Sequence, residues 1–411
     1  MATVRPFKAV RPAAEYVTAT ASLPYDVMNS AEAREYAKDK PYSFIKIDRA
    51  EINFSEGVDP YSQEVYEEAA RRLNSLIGQG IYIKDEKPSY YIYRQVMNGR
   101  AQTGIVGCVS VDDYLSGVVK KHELTLAKKE DDRCNHVDFC DANTGPIFLT
   151  YRPDESIRTV TRRVTESAPL YDFDFDGVRQ TVWAVYMDDD IDAITDAFAQ
   201  KDALYIADGH HRCASAVRIA RKRRVQNPDY SGDEEFNFFL SVIFPSDELE
   251  IMDYNRVVKD LAGRSDTEFI SAVTEKFDVE KLPSRPEKIK EKHTFGMYLS
   301  GAWYKLTAKD GTFEGDVISR LDVSILQNNL LAPILGIGDP RTDRRIDFIG
   351  GIRGLFELER RADSDMKVAF AMCPTSTDEL MAIADEGKIM PPKSTWFEPK
   401  LLSGIFIHEL K

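Results

Sequence analysis

A short apolar strand running into a helix through a single glycine is the feature that most constrains this chain. Residues 203–209 read Ala-Leu-Tyr-Ile-Ala-Asp-Gly, and residues 210–224 continue His-His-Arg-Cys-Ala-Ser-Ala-Val-Arg-Ile-Ala-Arg-Lys-Arg-Arg. The first run has the length and apolarity of a buried strand, and the second places Ala214, Val217 and Ala220 on one helical face. Such a junction gathers backbone N–H groups and the positive end of a helix at one point, a ready seat for phosphate. Gly209 permits close approach of the backbone, and Arg212 offers a planar fork for phosphate oxygens. Asp208 suits a magnesium ion or a proton, and His210 and His211 add donors or a proton shuttle. A capped helix with solvated polar side chains is the purely structural alternative for the same residues.

The chain has 411 residues, 43% of them hydrophobic and 30% charged, with a net charge of −14. That balance is ordinary for a globular protein and opposes a non-specific nucleic-acid coat, whose affinity comes from Lys and Arg on phosphates. The longest apolar runs, 330–337 and 238–244, are far short of the roughly 18–20 residues of a membrane span. The N-terminus lacks an apolar core of the secretory kind. Five cysteines without CxxC spacing predict free thiols in a reducing, cytoplasmic setting.

Patterning predicts an α+β fold with mixed sheets in three segments: an N-terminal region 1–100, a core 101–225 and a C-terminal domain 226–411. Val65, Ala69 and Leu73 mark a helix that Gly78 and Gly80 end. Residues 89–99 read as a strand, Asn98-Gly99 as a turn, and the following residues as the return strand of a hairpin. Strands are expected at 181–187, 236–244 and 404–410, and a helix at 189–200.

A second polar segment is His122-Glu123-Leu124-Thr125. Glu123 is a candidate base or metal ligand, and Thr125 a candidate cap or phosphate contact. The metalloprotease pattern is excluded, because position 126 is Leu and not His. The charge run 128–133 reads as an exposed helix face. Three of the six histidines, His122, His210 and His211, fall in the two polar segments, which suggests one joint site. Lys393-Ser394-Thr395 invites a P-loop reading that fails, since Pro391 and Pro392 stand where glycines belong. It is a rigid closing loop or a substrate-facing one. Arg341, Arg344 and Arg345 are weaker candidates for an anionic ligand, and Cys213 is expected to pack within its helix.

Taken together, Val4-Arg5-Pro6-Phe7, Pro24-Tyr25-Asp26-Val27, His122-Glu123-x-Thr125 followed by Asp132-Arg133, Asp208-Gly209-His210-His211-Arg212, Tyr254-Asn255-Arg256-Val257 and Pro392-Lys393-Ser394-Thr395 resemble the domain of unknown function 1015 family (DUF1015). Over residues 100–225 the chain is also similar to the free-serine kinases of the ParB/sulfiredoxin-like superfamily, which move a phosphoryl group from a nucleotide to the hydroxyl of free L-serine.

This second resemblance implies a ParB/sulfiredoxin-like core with N- and C-terminal α+β extensions. It implies a kinase that uses Mg²⁺ and ATP or ADP on a small-molecule alcohol, most naturally free L-serine. Glu123 would be the general base, and Asp208 would serve the metal or the hydroxyl. His210 would belong to the catalytic group, and Gly209, His211, Arg212, His122 and Thr125 to the phosphate contacts; Arg133, Lys393, Ser394 and Thr395 are weaker candidates for substrate contacts, the last three lying outside the span of this resemblance. Sulfiredoxin carries Cys in this turn where His210 stands, so its chemistry is not expected. Two other classes remain compatible with the residues. One is a nucleotide-gated switch without small-molecule phosphorylation. The other is a metal-dependent hydrolase built on His122, Glu123, Asp208 and His210.

Overall fold

The computed structural model describes residues 1–411, which form two compact units: residues 1–249 with 399–411, and residues 250–398. Neither unit matches one of the segments 1–100, 101–225 and 226–411. The reason is strand pairing: the expected hairpin straddles residue 100, and a strand from beyond residue 225 lies inside the first sheet.

That sheet has nine strands: β1 (Val4–Arg5), β2 (Tyr90–Met97), β3 (Arg100–Ser110), β4 (Val119–Lys120), β5 (Ile147–Tyr151), β6 (Tyr171–Phe175), β7 (Val178–Val185), β8 (Leu204–Asp208) and β9 (Phe238–Pro245). Their order is β4-β8-β5-β9-β3-β2-β7-β6, with β1 beside β3. β8 runs parallel to β4 and β9 parallel to β5, and the other pairs are antiparallel. The sheet is therefore mixed, in an α+β unit, as the sequence leads one to expect. The β2–β3 hairpin turns at Asn98 and Gly99 with φ of 52° and 79°, the positive values a two-residue turn needs. β9 is buried at every position, which explains its unbroken apolar sequence.

Four helices matter for the site: α1 (Gln63–Gly78), α2 (Ala127–Cys140), α3 (Asp188–Ala199) and α4 (His210–Gln226). Ile92, Leu149, Phe198, Ile206, Val217 and Phe239 belong to the core that fixes α3 and α4 on the sheet. Phe198 and Phe239 are fully buried, and each contributes about 2–3 kcal/mol of apolar transfer. Cys134, Val137 and Ile219 join α2 to α4. The five cysteines are unpaired.

In the segment expected as a strand over 404–410, Ile407 makes an isolated antiparallel bridge to Val10 and His408–Glu409 pair against Ala142–Asn143. Gly404 has φ of +82°, a left-handed conformation that keeps its end of the segment from being extended.

In the second unit six antiparallel strands, β10 (Tyr254–Val258), β11 (Phe277–Lys281), β12 (Thr294–Leu299), β13 (Ala302–Ala308), β14 (Ile346–Gly350) and β15 (Val368–Met372), form a sheet in the order β11-β13-β12-β15-β10-β14. Leu358, on the helix Gly354–Ser364, packs with Val257, Ile349 and Ala369. No helix of the chain is long and apolar enough to cross a membrane.

Candidate functional site

The strand–glycine–helix junction sits in the first unit. The register of β8 slips between Ile206 and Asp208, a bulge that re-aims the strand end. Gly209 then takes φ of +92° and opens α4 with no side-chain cap. A Cβ at Gly209 would lie 3.3 Å from Nε of Arg212, so the bare glycine also leaves room for that guanidinium. The first N–H groups of α4 are those that a helix leaves without internal acceptors.

The two polar segments, 85 to 88 residues apart, meet here. The His122 backbone N–H points at Nε2 of His210 over 3.5 Å, and the Leu126 N–H donates to Nε2 of His211 at 3.0 Å. Each of the paired histidines thus receives one backbone N–H from the loop that carries Glu123. The rings of His122 and His210 stand edge to face, with centroids 4.5 Å apart. Glu123 Oε2 lies 3.9 Å from Nδ1 of His210, with about half of its side chain exposed. Thr125 uses its hydroxyl on the Glu130 carboxylate at 2.8 Å, at the approach to α2.

Asp208 is engaged on both oxygens. Oδ1 accepts the Gly209 N–H at 2.8 Å, and Oδ2 lies 2.9 Å from Nζ of Lys400. Burial pushes its carboxyl up, but Lys400 and Arg212 outweigh that and hold it far below the usual range. Burial pushes the His122 imidazole down to about 4 and the His210 imidazole well below its ordinary value. At neutral pH the site therefore holds two neutral imidazoles beside an ionised carboxylate paired with an ammonium group.

Arg212 donates from Nη1 to the Pro146 carbonyl at 2.5 Å and lines a small pocket with Tyr25, Asp48, Arg133 and Ser403. The pocket shares Tyr25, Asp48, Arg133 and His136 with a cavity of about 290 Å³. Arg133 is buried, stacked over the Tyr25 ring and bonded to Asp132 at 2.9–3.0 Å. Asp48 accepts from the Thr144 hydroxyl at 3.2 Å, and burial raises its carboxyl. The charged run 128–133 is therefore not wholly an exposed helix face.

Lys393, Ser394 and Thr395 belong to the second unit. The Lys393 carbonyl accepts from Arg256, and the buried Ser394 gives its hydroxyl to the Pro391 carbonyl at 2.6 Å. Arg341 pairs with Asp339 and Arg345 with Asp343. Cys213 is fully buried in α4 and packs in the core.

Lys400, Asp48 and His136 escape sequence reasoning. Lys400 stands 192 residues from Asp208 in a segment without any motif, and the other two carry no local signature.

No curated protein matches the chain. Among solved structures, a free serine kinase in complex with AMP is 15% identical, over 72% of this chain and 87% of its own, with a TM-score of 0.36. A conserved hypothetical protein from Pyrococcus furiosus is 14% identical over 74% and 94%, with a TM-score of 0.35. C-terminally truncated SbnI from Staphylococcus aureus is 11% identical over 72% and 85%, with a TM-score of 0.37. These are distant likenesses. The model of a family described as protein of unknown function (DUF1015) matches residues 4–324, well over half of the sequence, and the chain belongs to that family.

Proposed function

We propose that this chain is a nucleotide-dependent phosphotransferase acting on the hydroxyl of a small molecule, with free L-serine as the first acceptor to test. The observation that carries the reading is the convergence on one turn of a helix N-terminus, Arg212, Lys400 and the half-exposed carboxylate of Glu123. Phosphoryl transfer asks for charge neutralisation and in-line positioning more than for covalent help. The opening N–H groups of α4, Arg212 and Lys400 would hold the donor phosphates.

In the proposed step the acceptor oxygen attacks the terminal phosphorus as its proton passes to Glu123. The new O–P bond forms as the bond to the bridging oxygen breaks, and that electron pair leaves with the shortened nucleotide. Mg²⁺ prefers oxygen donors and commonly keeps one or two carboxylates besides phosphate. Asp208, which it would share with Lys400, is the carboxylate at this turn that would hold it. Bound with the nucleotide, the ion would supply further neutralisation of phosphate charge. His210 would steer the Glu123 carboxylate from 3.9 Å, and His211 fixes the loop by accepting the Leu126 N–H.

Phosphorus NMR tests this directly. Protein is mixed with Mg²⁺, ATP or ADP, and L-serine, beside a tube with Asp208→Asn. A phosphomonoester signal that needs both wild-type protein and serine supports the reading. Unchanged nucleotide in every tube rules serine out as the acceptor under those conditions.

A further inference from the structure

Neither ring nitrogen of His122 has a hydrogen-bond partner, although the residue is only 2% exposed. The Ile206 carbonyl faces the ring without reaching hydrogen-bond geometry. A buried imidazole normally finds a partner for its N–H and for its lone pair, so an orphan of this kind calls for an explanation. Its surroundings offer one. One donor atom from each of His122, Glu123 and His210 lies within 4.8 Å of the other two.

We infer that His122, Glu123 and His210 form a binding site for a borderline transition-metal ion of the zinc class. Two imidazoles and one carboxylate are a donor set that such ions favour, and one that magnesium, with its preference for six oxygens, does not. Three protein donors leave a fourth position for water or a ligand, and the exposed side chain of Glu123 puts that position next to solvent. A tetrahedral ion at about 2.0–2.1 Å from each donor needs them roughly 3.3–3.5 Å apart. Glu123 Oε2 and His210 Nδ1 are already 3.9 Å apart, and about half of the Glu123 side chain is exposed. The one contact the His210 ring would loosen, from the His122 N–H, is long at 3.5 Å. Asp208 lies outside this group of donors.

The site draws on Glu123 and His210, which the phosphotransferase reading also uses, but its binding test needs neither nucleotide nor acceptor, so the two can fail separately. The test is a Co²⁺ titration of the full chain after removal of bound metal by a chelator, followed in the visible spectrum. The expected result is one equivalent of Co²⁺ with the intense bands of a four- or five-coordinate ion, displaced by Zn²⁺ and untouched by Mg²⁺ in excess. Glu123→Gln changes only a half-exposed side chain and should bind Co²⁺ at least about tenfold more weakly. His122→Gln should do the same, with circular dichroism as the check that it folds. Only the faint bands of six-coordinate Co²⁺, or intense bands that survive unchanged in a folded Glu123→Gln protein, would overturn the assignment.

Discussion

Lys400 Nζ and Asp208 Oδ2 stand 2.9 Å apart in the first unit, with the whole of the second unit between them in sequence. The pair keeps Asp208 ionised and carries an ammonium group to the turn that opens α4. Replacing Lys400 with Met should weaken ADP binding about tenfold, read by calorimetry. It should also lower stability at pH 7 by about 1–2 kcal/mol, because a half-buried carboxylate loses its counter-charge. The Asp208 carboxyl lies below its unfolded value, so its contribution to stability is present above about pH 4 and lost as pH falls further. The gap between wild type and Lys400→Met should therefore narrow in unfolding experiments taken below pH 4.

Glu123 offers a cleaner separation of binding from chemistry. Glu123→Gln keeps the size of the side chain at a half-exposed position. If Glu123 takes the acceptor proton, turnover should fall by 10²–10⁴-fold, the usual worth of a positioned base. The dissociation constant for nucleotide should move by less than about threefold on that account. A variant with normal turnover on the true acceptor would remove Glu123 from the mechanism.

Gly209 holds φ of +92° directly beside Arg212. Gly209→Ala should cost about 1–2 kcal/mol of backbone strain and lower the melting temperature by a few degrees. Asn tolerates the left-handed region better than Ala, but its Cβ would press on the Arg212 guanidinium just the same. Gly209→Asn should thus regain part of the stability and none of the nucleotide affinity. Melting curves and calorimetry on the two variants separate strain from crowding.

The second unit carries a pH dependence of its own. Asp322 accepts the His293 N–H at 2.7 Å through Oδ1, while its buried Oδ2 has no partner. Burial pushes its carboxyl up to about 7 from an ordinary 3.8, against the pull of that N–H. Between about pH 4 and 7 the folded state keeps a proton that the unfolded state releases, so stability falls as pH rises through this window and levels off above it. Asp322→Asn removes the titration. Its stability relative to wild type should climb from pH 4 to 7 by about 2–4 kcal/mol and stay flat to pH 8, as read by urea unfolding.

Local chemistry was what made parts of this molecule readable in advance. Asn98-Gly99 demands positive φ, and the β2–β3 hairpin follows. Gly209 between an apolar strand and a helix marks the turn that opens α4, and His122 does meet His210, as the clustering of three histidines leads one to expect. Long-range pairing has no such signature. Nothing around Lys400 announces Asp208, and nothing around Asp48 announces Thr144 or Arg133. The membership of β9 in the first sheet is equally silent, because a fully buried strand fits the centre of any sheet. Pattern alone places a segment boundary at residue 100, inside a hairpin, for the same reason.

The return of residues 399–411 to the first unit has a consequence for how the protein is made. A ribosome that has finished residue 249 has already released both polar motifs, His122 to Thr125 and Asp208 to Arg212, yet the lysine that balances Asp208 is still unsynthesised. The second unit must be translated before that charge arrives. A nascent chain stalled anywhere within it would carry the motif residues, Arg212 among them, and lack Lys400.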